Sequence, residues 1–332
     1  MNRASLIFAA LLAVLVPLSL LAGRVWIAPA DFGPGTTLLI LAELRLPRAV
    51  LAITIGAGLG AAGAAMQGYL RNPLADPGLF GIAPMAALGA VASFWLGTAI
   101  PAAWAAWSLP LMALGGAGLG MALLALIAGR TSSDAAGGAG GGIALFTLAG
   151  LMLASLAGAL TALAITLAPN PFALSEIVMW LNGALTDRSW REVAIAAPLT
   201  AAGIAVLALA ARSLDALTLG EEAARSMGIE PRRLLALLVV GIGLTVGAGV
   251  AVAGIIGFVG LVVPHLVRSF TDRLPSSLIL PSALAGACLV LAADSVVRVL
   301  PLVTELRLGI ALSLIGAPFF GWLLLRMRKG QL

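Results

Sequence analysis

The sequence predicts an all-α polytopic membrane protein of about ten transmembrane helices. Three observations carry that prediction. Of 332 residues, 61% are hydrophobic and only 10% charged, with a mean hydropathy of +1.11, whereas a soluble domain carries about 25% charged residues. Charge-free runs recur at the length, about 20 residues, that crosses a hydrocarbon core. Forty glycines suit membrane helices that pack backbone against backbone. The pI near 10.9 is not a nucleic-acid signal, because the arginines stand one or two at a time between apolar runs and Lys329 is the single lysine. Lipid is the expected surroundings and nucleic acid is not a partner. Cys288 stands alone in an apolar run, which excludes a disulfide framework and a cysteine metal site.

The runs give the spans in order. Ala4–Gly23 is the first. Its basic start and apolar core also fit a signal peptide, but nine further spans follow and no A-x-A site appears. Ala49–Leu70 is the second. Pro77–Gly129 holds no charge for 53 residues and must contain two spans, with a break around Pro101–Pro110. Ala135–Ser175 holds the fifth span, then a Pro-Asn-Pro turn at 169–171 and a short helical segment, Phe172–Leu185. Val193–Ala211 is the sixth. Leu234–Val267, 34 residues with Gly254 and Gly257 near its middle, fits one full span and one short return helix. Leu274–Ala293 and Leu308–Leu325 are the ninth and tenth.

Ten spans put both termini on one side of the membrane. Arg3, Arg326, Arg328 and Lys329 assign that side to the cytoplasm, and 12 of the 19 basic residues then lie inside. Small residues recur at Gly56–Gly63 and Gly241–Gly249, a spacing for close helix contact, read as packing within one subunit in preference to a dimer seam.

Two polar stretches stand out. QGYLRNPLADPG, residues 67–78, is a polar knot between apolar runs. Arg212–Arg233 holds eight of the 33 charges and contains TLGEEAARSMG. There Thr218 and Glu221 form a candidate capping box, Gly228 a C-terminal stop, and Glu221 and Arg225 an i,i+4 pair. Leu219, Ala223 and Met227 line one face of this short helix. It is either a solvated connector or a docking helix, and a defined start and stop favour docking. The lone lysine precedes Gly330, so the chain has no P-loop. No nucleophile–base pair is found, which argues against an enzyme. His265, beside Pro264 in the return helix, is equally a functional group or a structural hydrogen-bonding one. Asp294 and Arg298 can neutralise each other at i,i+4.

These stretches resemble the FecCD family, the permeases of binding-protein-dependent ABC importers for iron-siderophores, heme and vitamin B12. The matching blocks are R-L-P-R at Arg45–Arg48, Q-G-Y-L-R-N-P-L-A-D-P-G-L-F-G-I at 67–82, L-G-E-E-A-A-R-S-M-G-I at 219–229, G-F-V-G-L-V-V-P-H-L-V-R at 257–268, L-A-A-D-S-V-V-R at 291–298 and G-I-A-L-S-L-I-G-A-P-F-F-G-W-L-L at 309–324. They span almost the whole chain, in order.

The resemblance implies a type II ABC importer permease fold, with residues 1–332 as one transmembrane permease domain. It implies a bacterial inner-membrane subunit that pairs with a second copy of itself, with two cytoplasmic ABC ATPase subunits and with a periplasmic substrate-binding protein. No cofactor belongs to this chain, ATP and Mg being held by the ATPase. Leu219, Gly220, Glu221, Glu222, Ala223, Arg225, Met227 and Gly228 become the coupling helix, in the loop at about 212–233. Asn72, Pro73 and Leu74 become part of the cytoplasmic gate, with a second part near Gly142–Ala144, where the glycine-rich stretch at 131–142 departs from the family pattern. Arg45, Arg48 and Arg298 become docking sites for acidic residues of the binding protein. Leu148–Thr166 becomes a smooth pathway wall, and Trp180 and Trp190 lie near the outer surface. The cargo is an iron-siderophore as the commonest in the family, with heme and cobalamin open. An ion-coupled secondary transporter is the rival of another class; it needs intramembrane acids arranged for coupling, and Asp294 is the one acid within a span.

Overall fold

The computed structural model describes residues 3–28, 35–96, 101–131 and 141–328, and among the described residues the fold is entirely helical. Helix α1 (Arg3–Leu21) is followed by α2 (Thr36–Leu39), a π-helical stretch (Ile40–Arg45) and α3 (Leu46–Leu70), which together form one continuous 35-residue helix. A 3-10 turn at Pro77–Phe80 leads to α4 (Ile82–Leu96) and α5 (Ala102–Thr131). Then come α6 (Gly141–Thr166), α7 (Pro171–Leu181), α8 (Trp190–Leu217), the short α9 (Glu221–Ser226) and α10 (Pro231–Ala253). The return helix α11 (Val259–Val267), α12 (Pro275–Val299) and α13 (Leu308–Arg328) complete the chain. Eight of these helices are long and apolar enough to cross a membrane. Three shorter apolar helices, α4, α7 and α11 with the turn that follows it, fall below that length.

Several boundaries differ from the sequence reading, among them the end of the ninth span, which runs to Val299 and not Ala293. The second span begins at Thr36, not Ala49, because Arg45 and Arg48 lie inside the helix, Arg48 ion-paired and Arg45 hydrogen-bonded to carbonyls of α1 and the residues after it. The third and fourth spans part before Ala102, and Pro110 sits within α5; membrane helices tolerate such a proline because neighbours re-satisfy the freed carbonyl. The sixth span runs on to Leu217 because Asp215 faces a donor, the Ser276 N–H at 2.9 Å. The expected break between α10 and α11 is present, with Gly254 (φ 74°) and Phe258 (φ 66°) in left-handed conformations.

The core gathers around α3 and α10, whose apolar windows are both 78% buried, against 17% for α1 at the periphery. Helix α3 packs most extensively on α12 and also touches α8, α10 and α11. The small-residue spacing makes this possible. A methyl placed on Gly56 or Gly60 would collide with the carbonyls of Gly286 or Ser282 on α12. The expectation that this spacing serves packing within the subunit is met here: Gly203 and Leu207 crowd Gly241, and Met121 crowds Gly243.

Gly60→Val is therefore expected to lower the melting temperature of the detergent-purified chain, by an overpacking cost of about 1–3 kcal/mol or more. Gly115→Ala, at a position where a methyl meets no atom within 4 Å, should leave it unchanged. Equal melting of the two variants would contradict the close α3–α12 seam.

Candidate functional site

The polar knot is a rigid turn at the end of α3. Arg71 closes the helix in a left-handed conformation (φ 50°), its N–H bonding back toward Gly68 at 3.4 Å, while the Asn72 N–H reaches the Gln67 carbonyl at 3.2 Å. The Asn72 side chain does not cap a helix. Its Oδ1 accepts the Leu74 N–H at 2.9 Å, and its carbonyl accepts the Ala75 N–H at 3.2 Å. Asp76 caps the 3-10 turn, accepting the Gly78 N–H at 2.6 Å. Burial raises the Asp76 carboxyl above its ordinary range, and that N–H opposes the rise. Arg71 and Asn72 are exposed, and Pro73 and Leu74 half-buried. Behind the turn, Gln67 donates to the Leu261 carbonyl at 3.1 Å and accepts from Arg268 at 3.0 Å, so α11 holds the turn's root. The glycine-rich stretch at 132–140 lies outside the described residues, and Gly142–Ala144 fall in the first turn of α6.

The loop helix α9 lies at the same end of the molecule. Its expected capping box is absent. Thr218 still belongs to the end of α8, and its hydroxyl donates to the Asp215 carbonyl at 2.7 Å. Gly220 (φ 105°) takes the N-cap position, with no side-chain cap. A complete capping box stands at the start of α8, between Ser189 and Glu192. The stop is where the sequence puts it: Gly228 has φ 85°, and Ile229 N–H bonds back to Ala224 O at 3.0 Å. The Glu221–Arg225 pair does not form among the described ion pairs. Ala224 faces inward, while Leu219 and Met227 are 68% and 62% exposed. Glu222, Arg225 and Gly228 are exposed as well, and Gly220, Glu221 and Ala223 are intermediate. The helix rests on its own protein through Ala224 and turns the apolar side chains of Leu219 and Met227 outward.

At the opposite end the three arginines are occupied within the chain. Arg48 pairs with Asp294 at 2.8 Å and with Glu305, and Arg298 pairs with Asp294 at 3.1 Å. The Asp294 side chain is fully buried and those of Arg48 and Arg298 nearly so. Arg298 also donates to the Ser19 hydroxyl at 2.7 Å, and the Thr186 hydroxyl donates to Glu305 at 3.3 Å. Arg45 donates to the carbonyls of Leu20, Leu21 and Val25, closing the end of α1. Two cations and two carboxylates thus form a balanced cluster. Sequence reasoning paired Asp294 with Arg298 but missed Arg48, Glu305 and Ser19, whose partners lie hundreds of residues away. Burial would raise the Glu305 carboxyl, but the hydrogen bond and charge of Arg48 outweigh it and hold Glu305 below its usual range.

Trp190 is at the arginine end, 40% exposed, its indole N–H donating to Ala42 O at 3.0 Å. Trp180 is buried, not an interfacial aromatic, and its backbone carbonyl lies where a side chain on Gly254 would stand. His265 is half-buried with Nδ1 unpartnered. Helix α6 buries only one face, with Phe146, Ala149, Leu153 and Ala157, and leaves Leu148, Leu151, Leu156 and Leu163 open.

The architecture defines a class, a multi-pass helical membrane protein with a rigid turn and an exposed helix at one end. Similarity to known proteins narrows it. Residues 11–326 match the FecCD transport family. The hemin transport system permease protein HmuU of Yersinia pestis is 36% identical over 287 residues, 86% of this chain and 83% of the relative. The vitamin B12 import system permease protein BtuC of Salmonella paratyphi A is 37% identical over 315 residues, 94% and 91% of the two chains. A solved structure of a metal-chelate type ABC transporter in an inward-facing conformation matches with a TM-score of 0.85 at 27% identity, over 97% of this chain and 98% of that one. The chain belongs to the FecCD transport family. It is the permease subunit of an ABC transporter, with the type II importer permease fold, and not a catalytic chain. ATP is bound by a partner ATPase.

Breaking one partner of the cluster should destabilise the fold. Arg48→Met is expected to cost about 3–5 kcal/mol, the usual penalty for leaving a buried charge unpaired. Arg48→Met with Glu305→Gln, which removes one charge of each sign, should recover part of the loss. Melting of the purified variants measures both, and a single variant as stable as the parent would contradict the cluster's role. Because Glu305 is held below its unfolded value, its contribution is present above about pH 4.3 and fades as pH falls through the folded value. Glu305→Gln should flatten that acid limb.

Proposed function

We propose that the chain forms, with a second copy of itself, the pathway of a binding-protein-dependent importer for an iron chelate, an iron-siderophore first and heme or cobalamin as alternatives. Residues 1–332 act as one permease domain in a bacterial inner membrane. Both termini face the cytoplasm, on the side of the loop helix. The single observation that carries this reading is the pairing, at one end, of an outward-turned apolar helix with a rigid turn between two membrane helices. A lever and a gate need that proximity.

In this reading Leu219, Gly220, Glu221, Glu222, Ala223, Arg225, Met227 and Gly228 form the coupling helix, and Leu219 and Met227 enter a groove of the ATPase. Asn72, Pro73 and Leu74 form one side of the cytoplasmic gate. Leu74 narrows the opening, and an apolar constriction excludes water. The open face of α6 serves as pathway wall and meets the second copy. At the periplasmic mouth, Arg45, Arg48 and Arg298 receive the binding protein's acidic residues. Since each already has partners in its own chain, docking there proceeds by exchange with Asp294, Glu305 and the α1 carbonyls. The same pairing leaves Asp294 no free charge for ion coupling, which disfavours a secondary transporter.

The first test is a gentle-detergent pull-down of the tagged chain from its native membrane. A P-loop ATPase at one copy per permease is expected, and any co-retained binding protein is to be stripped and read for iron, heme and cobalt. Repeated purification without an ATPase would overturn the importer reading. Leu219→Asp with Met227→Asp should reduce ATPase retention at least about tenfold, since each buried apolar side chain contributes about 1.5–3 kcal/mol, while melting stays unchanged. Undiminished retention would exclude this helix as the docking surface.

A further inference from the structure

A run of three rings ties the gate turn to the open helix α6. Tyr69, the chain's single tyrosine, lies in the last turn of α3. Its ring meets Phe146 of α6 edge-on, with centroids 5.4 Å apart and planes at 84°. Phe146 in turn stacks on Phe80 of the 3-10 turn at 5.0 Å and 23°. All three are buried. The contact reaches the backbone, because a methyl placed on Gly150 would lie 2.9 Å from the Phe80 Cα. At this level α6 cannot shift without displacing the turn, since packed interiors leave no slack for it.

The other end of the run meets the loop helix. Glu221, the first residue of α9, has one carboxylate oxygen sealed from solvent and without a hydrogen bond. Its charge is within electrostatic reach of the Tyr69 phenol. A buried acceptor without a donor is unfavourable, and a phenol hydroxyl is a donor. A small movement of α9 toward Tyr69 would give that oxygen a donor.

We propose that Tyr69 is the positioning residue through which the loop helix acts on the gate: when the ATPase presses α9 inward, the Tyr69 hydroxyl donates to Glu221, and the ring passes the displacement through Phe146 to Phe80 and the 71–78 turn. This rests on the coupling-helix reading above. A phenylalanine at position 69 would keep the ring run and lose the connection to α9.

The single tyrosine makes the test selective. The chain grown with 3-fluorotyrosine carries one fluorine-labelled residue, whose 19F resonance is recorded in lipid nanodiscs with and without the copurifying ATPase. The expected result is a shift of that line on ATPase binding, scored per ATPase bound, and its loss in Glu221→Gln. In a Cys288→Ser chain, maleimide labelling of Arg71→Cys should change rate on adding ATP to the complex, and this change should vanish in Phe146→Leu and in Tyr69→Phe. A bound ATPase with an unmoved line would overturn the inference and leave the coupling helix standing. Failure of any ATPase to bind would remove the coupling-helix reading itself.

Discussion

The balanced cluster of Arg48, Asp294, Arg298 and Glu305 is the constraint on which the rest of the molecule depends. In a low-dielectric interior each of these charges alone would be prohibitive, and together they are neutral. The cluster joins α3 to α12 and to the loop before α13, and through Ser19 it fixes α1. Helix α3 is thereby held at one end by charge. At the other, Gln67 holds it to Leu261 and Arg268. Between these points, glycines let it lie against the backbone of α12. The turn that follows Leu70 inherits its position from this doubly tethered helix, so the geometry at one face is set partly by ion pairs at the other.

The two faces are built on different principles. At the arginine end, opposite charges are paired, Arg48 with Asp294 and Glu305 and Arg298 with Asp294. At the loop-helix end, apolar side chains are left facing outward and a carboxylate oxygen lacks a donor. The first arrangement favours permanence and the second favours an incoming partner, a division of labour suited to a subunit that hydrolyses nothing itself and must be moved by another.

Most of the fold was legible because a span must be apolar and long, and charge-free runs mark it. The misplaced boundaries have one cause, the assumption that a charge ends a span. Arg45, Arg48 and Asp215 all lie inside helices because partners distant in sequence neutralise or bond them. The motif stretches marked the turn and the loop helix, but their local chemistry was only half readable. Gly228 stops α9 through backbone conformation, a property of the residue itself. Thr218 failed as a cap because it closes the end of α8, and the length of a neighbouring helix is not written in a four-residue pattern. Likewise nothing in the sequence placed Phe146 against Tyr69 and Phe80, since each sits in an unremarkable apolar run.

The π-helical stretch at Ile40–Arg45 has a bearing on how this chain can vary in length. Each residue of an α-helix turns the chain by about 100°, and a wide i→i+5 turn is geometrically a one-residue insertion accommodated in place. Removing one residue there would restore a regular helix and leave both flanks in register, the α3–α12 seam below it and the residues above it. The same stretch therefore acts as a register joint, able to absorb a one-residue change in length without disturbing the glycine seam or turning Leu38 and Leu39, both exposed, to a new side.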